Sequence, residues 1–232
     1  MAKTDPAALR RLRSLDWLDA AGLERLAEKI AIERVKKRES IFVEGERSRQ
    51  ICILLSGIAK LSFLGHDGER VLVSLVGVGE IFGVSSFLSA ARRPYRCDAF
   101  SECVVGRVDP EEFVGGILRV PFADFSRFMD ATVGRWWNWL MRYTTFVGLG
   151  LRDRLLVALL ELAEKFGVQD SRGTILPLRL THEDLADLVG ASRQRVTEQM
   201  NELRRQGVVL SEGRHVVLVA DRVHQLLQAE IP

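Results

Sequence analysis

Apolar residues recur every three to four positions through the first stretch of the chain. Residues 7 to 34 place Leu9, Leu12, Leu15, Leu18, Leu23, Leu26 and Ile30 on recurring faces, the spacing of short amphipathic helices. The period then changes. From about residue 35 to 110 short β-branched runs broken by glycine follow one another: SIFVEG, ICILLSGIAKLSFLG, RVLVSLVGVGEIFG and CVVGRVD. Many short strands with glycine turns predict a sandwich or roll. Asp67-Gly68 within LGHDGER marks a tight hairpin between two of these strands.

A glycine-poor segment follows DPEEFVGGILRVP. Met129, Val133, Trp136, Leu140, Tyr143 and Val147 are spaced 4, 3, 4, 3, 4, a heptad seam along which two helices pack. Phe125, Phe128, Thr132, Trp139 and Phe146 form a second stripe, about 60–100° round the helix. One face suits a copy of the same helix and the other suits the β-rich region. The domains predicted are 1–121, a sensing β-roll with N-terminal helices, 122–149, a long dimerisation helix, and 150–232, a C-terminal domain. Gly148 and Gly150 offer a hinge.

The C-terminal domain opens with the amphipathic helix LRDRLLVALLELAEKFG. In THEDLADLVG, Thr181 is an N-cap with Asp184 in the capping-box position, and Gly190 closes the helix. ASRQRVTEQMNELRRQG follows, with Val196, Met200 and Leu203 on one face and a polar first turn. Two short helices joined by VGAS have the spacing of a helix-turn-helix, and GVVLSEGRHVVLV reads as a hairpin, the wing of a winged helix. Arg193 suits the paired acceptors of guanine and Gln194 can pair bidentately with adenine. His182, Arg195, Arg204, Arg205 and Arg214 suit phosphates, which position without reading sequence. Glu198 is awkward beside phosphates: it would accept from cytosine or lock Arg193 or Arg195.

Composition narrows the classes. The 232 residues are 47% hydrophobic, enough for one large domain or two modest ones. With a net charge of +2, attraction to a polyanion must come from a local cluster. No apolar run reaches bilayer length, and MAKTDPAALRRLRSLDW lacks the apolar core of a secretory signal; a cytoplasmic protein without membrane partners is expected. Cys52, Cys97 and Cys103 form no C-x-x-C pair, so they read as small buried hydrophobes rather than a disulfide or zinc framework.

The β-rich N-terminus, the heptad helix and the winged helix together resemble the cyclic-AMP receptor protein/FNR family of bacterial regulators. The resemblance covers nearly the whole chain. It rests on GERSRQICILLSGIAKLSFLGHDGERVLVSLVGVGEIFG and LTHEDLADLVGASRQRVTEQMNELRRQGVV. It implies an α+β fold with an N-terminal cyclic-nucleotide-binding-type β-roll (jelly roll), a long dimerisation helix and a C-terminal winged helix-turn-helix. It also implies a homodimer on a palindromic double-stranded DNA operator, in contact with RNA polymerase. By resemblance Ser192, Arg193 and Gln194 sit at base-reading positions, His182 and Arg195 at phosphate positions, and Glu198 at a further base-facing one. Thr197 and Arg214 complete the expected DNA surface.

The pocket departs from the cyclic-AMP pattern. Family members that bind cyclic AMP carry Gly-Glu for the ribose and Arg-Ser for the phosphate. This chain has Gly83-Val84 and Arg93-Pro94, and Trp139-Leu140 where the adenine would meet Thr-Ser. Unpaired ligand groups cost about 1–3 kcal/mol each, which argues against cyclic AMP. Ser85, Ser86 and Arg96 are candidates to rebuild a different polar site. An effector other than cyclic AMP, or activity without ligand, is expected; no cofactor or metal is assigned. A cyclic-nucleotide regulator with an altered pocket, a haem sensor ligated by His66 or Cys52, and a thiol switch at Cys97 or Cys103 are alternatives. The tryptophans 136, 137 and 139 fill core and seam or line an apolar pocket. A cupin-like enzyme needs several histidines around one cavity, but only His66 lies in the β-rich part; GASRQR argues against a regulatory subunit without DNA activity.

Overall fold

The structure is a computed structural model. It describes residues 9–12, 15–16, 18–65, 70–87, 92–117, 125–126, 128–130, 133–134, 140, 148–212, 215–219 and 222–223. The chain divides into two compact units, Met1–Leu140 and Met141–Pro232, and that division falls inside the segment 122–149.

Among the described residues of the first unit, α1 (Ala20–Lys29) precedes eight strands. They are β1 (Ala31–Val35), β2 (Ser40–Phe42), β3 (Ile51–Ser56), β4 (Ala59–Leu64), β5 (Arg70–Val76), β6 (Ile81–Phe82), β7 (Arg96–Ala99) and β8 (Cys103–Val108). They form two antiparallel four-stranded sheets, ordered β1-β8-β3-β6 and β2-β7-β4-β5. The hairpin expected around Asp67-Gly68 pairs Leu64 with Arg70; its tip lies outside the described residues. Successive side chains of a strand point to opposite faces, and β3 uses both. Cys52 and Leu54 turn into the roll with Phe42, Leu61, Phe82 and Val105. Ile51 and Ile53 turn the other way, onto Leu15, Leu23, Leu26 and Phe113. Burial on both faces explains why this strand reads as an unbroken apolar run.

The helical reading of residues 7–34 extends too far: α1 stops at Lys29, where the Ile30 N–H still bonds to Leu26 O at 3.0 Å. Residues 31–35 are instead β1, antiparallel to β8 in the register Ala31↔Arg107 to Val35↔Cys103, with Glu33 and Arg107 ion-paired between the strands. Pairing with a distant strand overrides the local helical period. After β8, α2 (Pro110–Ile117) starts on a proline, which fits the first helical position because its missing N–H has no partner to lose. The described residues from Phe125 to Leu140 are helical. Phe128 is buried and lies 5.6 Å from Phe113, ring to ring, whereas Met129, Val133 and Leu140 are exposed. Those three belong to the expected seam; Trp136, Tyr143 and Val147 lie outside the described residues.

In the second unit α3 (Leu151–Phe166) buries Leu155, Leu156 and Leu159 against α4 (His182–Val189), α5 (Arg193–Arg205) and β10 (Gly173–Leu176). β9 (Val168–Asp170), β10, β11 (Val209–Glu212) and β12 (His215–Leu218) form one antiparallel sheet ordered β11-β12-β10-β9. The hairpin β11–β12 is the wing read from the sequence; Gly213 and Arg214 at its tip lie outside the described residues. The hairpin β9–β10 was not read from the sequence. It widens the wing into a four-stranded sheet through Thr174↔Leu218 and Leu176↔Val216.

Candidate nucleic-acid interface and effector pocket

The α4–turn–α5 motif is set by local chemistry. Thr181 Oγ1 accepts from the Asp184 N–H at 3.1 Å, and the Asp184 carboxylate accepts from the Thr181 N–H at 2.9 Å. This capping box satisfies two helix-terminal groups, and an N-cap contributes about 1 kcal/mol. Gly190 ends α4 at φ 62° and ψ 55°, a left-handed conformation that disfavours residues with a Cβ. Ser192 then caps α5, accepting from the Arg195 N–H at 3.4 Å. Val196, Met200 and Leu203 are fully buried and fix the roll of α5. Ser192, Arg193, Gln194, Arg195 and Glu198 are consequently all exposed at one end of the helix.

Partners sharpen that surface. The Arg193 guanidinium lies 4.0 Å from Glu183 on α4, a solvated pair of little energetic weight. Glu198 holds neither Arg193 nor Arg195, the two locks weighed from the sequence. Its carboxylate accepts from the Gln194 amide at 3.1 Å. Thr197 is half-buried and donates to Arg193 O at 2.9 Å, while His182 Nδ1 lies 2.8 Å from Thr197 Oγ1. Thr197 therefore works between the helices. Arg204 bonds Ser211 at 3.1 Å and Asn201 at 2.9 Å, bracing α5 against β11, and Arg205 pairs with Glu202 at 2.5 Å. Sequence reasoning missed Glu183; its place one residue after His182 in the first turn of α4 is the only signal.

The candidate pocket is organised around Arg93. Its side chain is 2% exposed. Nη1 donates to Gly83 O and Nη2 to Gln50 O, each at 2.8 Å, and the guanidinium carbon sits 4.2 Å from the centroid of the Phe42 ring. Glu46 lies 3.9 Å from Nε. Burial pulls this guanidinium below its ordinary pKa, against the opposing charge of Glu46. Gly83 sits at φ 73°, and a Cβ there would stand 2.6 Å from Nη1, so glycine is required both by conformation and by the approach of Arg93.

Val84, Ser85 and Ser86 belong to a 3-10 turn over Val84–Phe87. Ser85 is paired with Ser48 at 2.9 Å, and Ser86 donates to Gly83 O at 3.1 Å. Pro94 is exposed. Leu140 is 42% exposed, and Trp139 lies outside the described residues. Arg96 does not join this group. It alternates with Cys97 and Ala99, which face the roll interior, and its guanidinium grips Asp98 at 2.7 and 2.8 Å and Ser40. The alternation of β7 puts it on the other face.

The cysteines are small buried groups. All three are free and inaccessible. Desolvation pushes the Cys52 thiol up to about 11, despite Arg107 and Arg93 nearby, and raises Cys97 and Cys103 as well. Neutral thiols are poor nucleophiles and poor ligands. His66 lies outside the described residues. No helix among the described residues is long and apolar enough to cross a membrane.

Comparison with known proteins agrees with both halves. Residues 32–129 match the cyclic nucleotide-binding domain family, and residues 153–225 match the Crp-like helix-turn-helix domain family. The global nitrogen regulator of Synechococcus elongatus is 27% identical over 191 residues, covering 82% of this chain and 86% of that protein. The CRP-like cAMP-activated global transcriptional regulator of Mycobacterium tuberculosis is 24% identical, covering 90% and 93%. Among solved structures, the c-di-GMP responsive global regulator CLP of Xanthomonas campestris superposes with a TM-score of 0.72 at 22% identity, over 87% of this chain and 99% of that one. A β-roll joined to a winged helix-turn-helix defines a class of DNA-binding transcription regulator, not an enzyme. The chain belongs to the cyclic-AMP receptor protein/FNR family.

Proposed function

We propose that this regulator acts as a homodimer on a palindromic operator, with one α5 in each half-site. The exposed first turn of α5 over its buried Val196 anchor carries the reading. Arg193 reads guanine, Gln194 a neighbouring base, and His182, Arg195 and Arg214 hold phosphates; Ser192 caps the reading helix and Thr197 ties it to His182. The seam Met129, Val133, Trp136, Leu140, Tyr143 and Val147 within residues 122–149 joins the chains, and exposed apolar residues at Met129, Val133 and Leu140 support it. The sensing roll spans 1–121 and the DNA-binding domain 150–232. The protein works in the cytoplasm and touches RNA polymerase when bound. Leu140→Glu is expected to split the dimer and abolish binding to a palindrome; sedimentation showing an unchanged dimer would refute the seam.

The roll is not an ordinary cyclic-AMP receptor. Arg93, the cation the family offers to phosphate, already has two carbonyl acceptors and an aromatic face. An anionic ligand would have to share the guanidinium with them, and Val84 and Pro94 stand where the cyclic-AMP pattern has its ribose carboxylate and phosphate hydroxyl. The regulator therefore answers another effector or binds DNA without one. An effector acts only by binding the two dimer arrangements unequally. Calorimetry with cyclic AMP is expected to show no tight binding, and a submicromolar constant would overturn this reading. Retention of Arg93 favours a second reading, a cyclic nucleotide held differently. The buried thiols favour neither a redox switch nor ligation by Cys52.

A further inference from the structure

We infer that Glu198 is a positioning residue that makes Gln194 select adenine and exclude guanine. The inference rests on the base-reading role of α5 proposed above. Gln194 Nε2 donates to Glu198 Oε1 at 3.1 Å, one helical turn away, and both side chains are exposed beside Arg193. An ionised carboxylate only accepts hydrogen bonds, whereas a glutamine amide has a donor end and an acceptor end. The carboxylate therefore decides which way the amide faces, a choice that a free glutamine leaves open. With one N–H held by Glu198, the amide presents Oε1 and its second N–H.

In the major groove adenine offers the matching pair, an N6 amino donor and the N7 acceptor. Guanine offers two acceptors, O6 and N7, and one of them would face Oε1. An unrestrained amide escapes that clash by turning its NH2 to guanine; a held one does not. Arg193 next to it presents donors only, so the adjacent side chains ask for different purines.

In vitro selection of bound duplexes by the full-length chain tests this, using the unmodified protein, Gln194→Ala, Glu198→Ala and Glu198→Gln. The position whose preference disappears in Gln194→Ala is the one Gln194 reads. There the unmodified protein is expected to recover adenine and exclude guanine. Glu198→Ala is expected to reduce that discrimination by about tenfold, one lost directional contact, with other positions and thermal stability unchanged. Glu198→Gln, nearly the same size, is expected to admit guanine too, because its amide can meet Gln194 with either end. Continued exclusion of guanine by either Glu198 variant would overturn the inference. So would a changed preference confined to a different position, the mark of direct base contact by Glu198. Recovery of no common sequence by the unmodified protein would instead sink base reading by α5 altogether.

Discussion

Arg93 and Arg193 carry the same guanidinium in opposite surroundings. Arg93 has 2% of its side chain exposed and Arg193 has 73%. Inside the roll, the cation is stripped of water, two of its donors are held by Gly83 O and Gln50 O, and its Nε has no hydrogen-bond partner. At the tip of α5, the cation keeps its water and has one loose partner at 4.0 Å. A buried charge must be compensated before any ligand arrives, so Arg93 has become a structural group. A solvated charge is free to exchange water for a base or a phosphate. Residue type alone marks both as anion sites; the surroundings make one a brace and leave the other exposed for the base reading proposed above.

Substitution separates the two roles. Arg93→Ala would leave the half-buried Gln50 O without its donor, take one donor from Gly83 O, which keeps Ser86, and uncover the Phe42 face. At about 1–3 kcal/mol for a group left unsatisfied, with a further cost for the space a buried side chain vacates, the loss is expected to reach about 2–4 kcal/mol, read as a lowered urea midpoint. A midpoint within error of the unmodified protein would mean that Arg93 is no brace. Arg193→Ala is expected to leave the urea midpoint unchanged and to weaken specific DNA by about 1–3 kcal/mol, with little effect on random duplex. Equal losses on both duplexes would reduce Arg193 to a phosphate contact and erase the contrast.

The same pair explains what was readable in the sequence. The α4–turn–α5 motif was legible because its signals are local: Thr181 and Asp184 at capping spacing, Gly190 where a left-handed residue closes the helix, and Val196, Met200 and Leu203 at helical period. The state of Arg93 was not legible. Its acceptors are backbone carbonyls 10 and 43 residues away, and a carbonyl leaves no trace in residue type. Arg96 looked available for the pocket, but β7 alternation gives it to Asp98 and Ser40. Residues 31–34 were read as helix because Ile30 continues the leucine pattern up to them, while the true partner of this strand, β8, lies far along the chain. The β9–β10 hairpin escaped for the related reason that VQDSRGTIL is short and half polar; pairing with β12 gives it a place.

A third basic group, His182, lies between these extremes of burial and responds to pH. Thr197 has one hydroxyl proton and donates it to Arg193 O at 2.9 Å. The contact of 2.8 Å between His182 Nδ1 and Thr197 Oγ1 therefore requires Nδ1 to donate. In neutral His182 the proton is on Nδ1 and Nε2 is bare, unable to donate to a phosphate. Partial burial, then the positive charges of Arg204 and Arg193 on α5, hold its pKa below the ordinary 6.5. Glu183 beside it in α4 is engaged with Arg193. Because the folded value lies below the unfolded one, folding stability falls as the pH drops from 6.5 towards the folded value. In the proposed complex DNA would act in the opposite direction: a phosphate at Nε2 would raise the pKa, so binding would take up a proton. Affinity should therefore strengthen on acidification and weaken as pH rises through the value in the complex. The slope is at most about tenfold per pH unit for each histidine. Titrations of specific duplex between pH 5.5 and 7.5 should show this slope in the unmodified chain and lose it in His182→Gln, which keeps a neutral donor. An identical slope in the two proteins would place the proton elsewhere and remove His182 from the phosphate contacts.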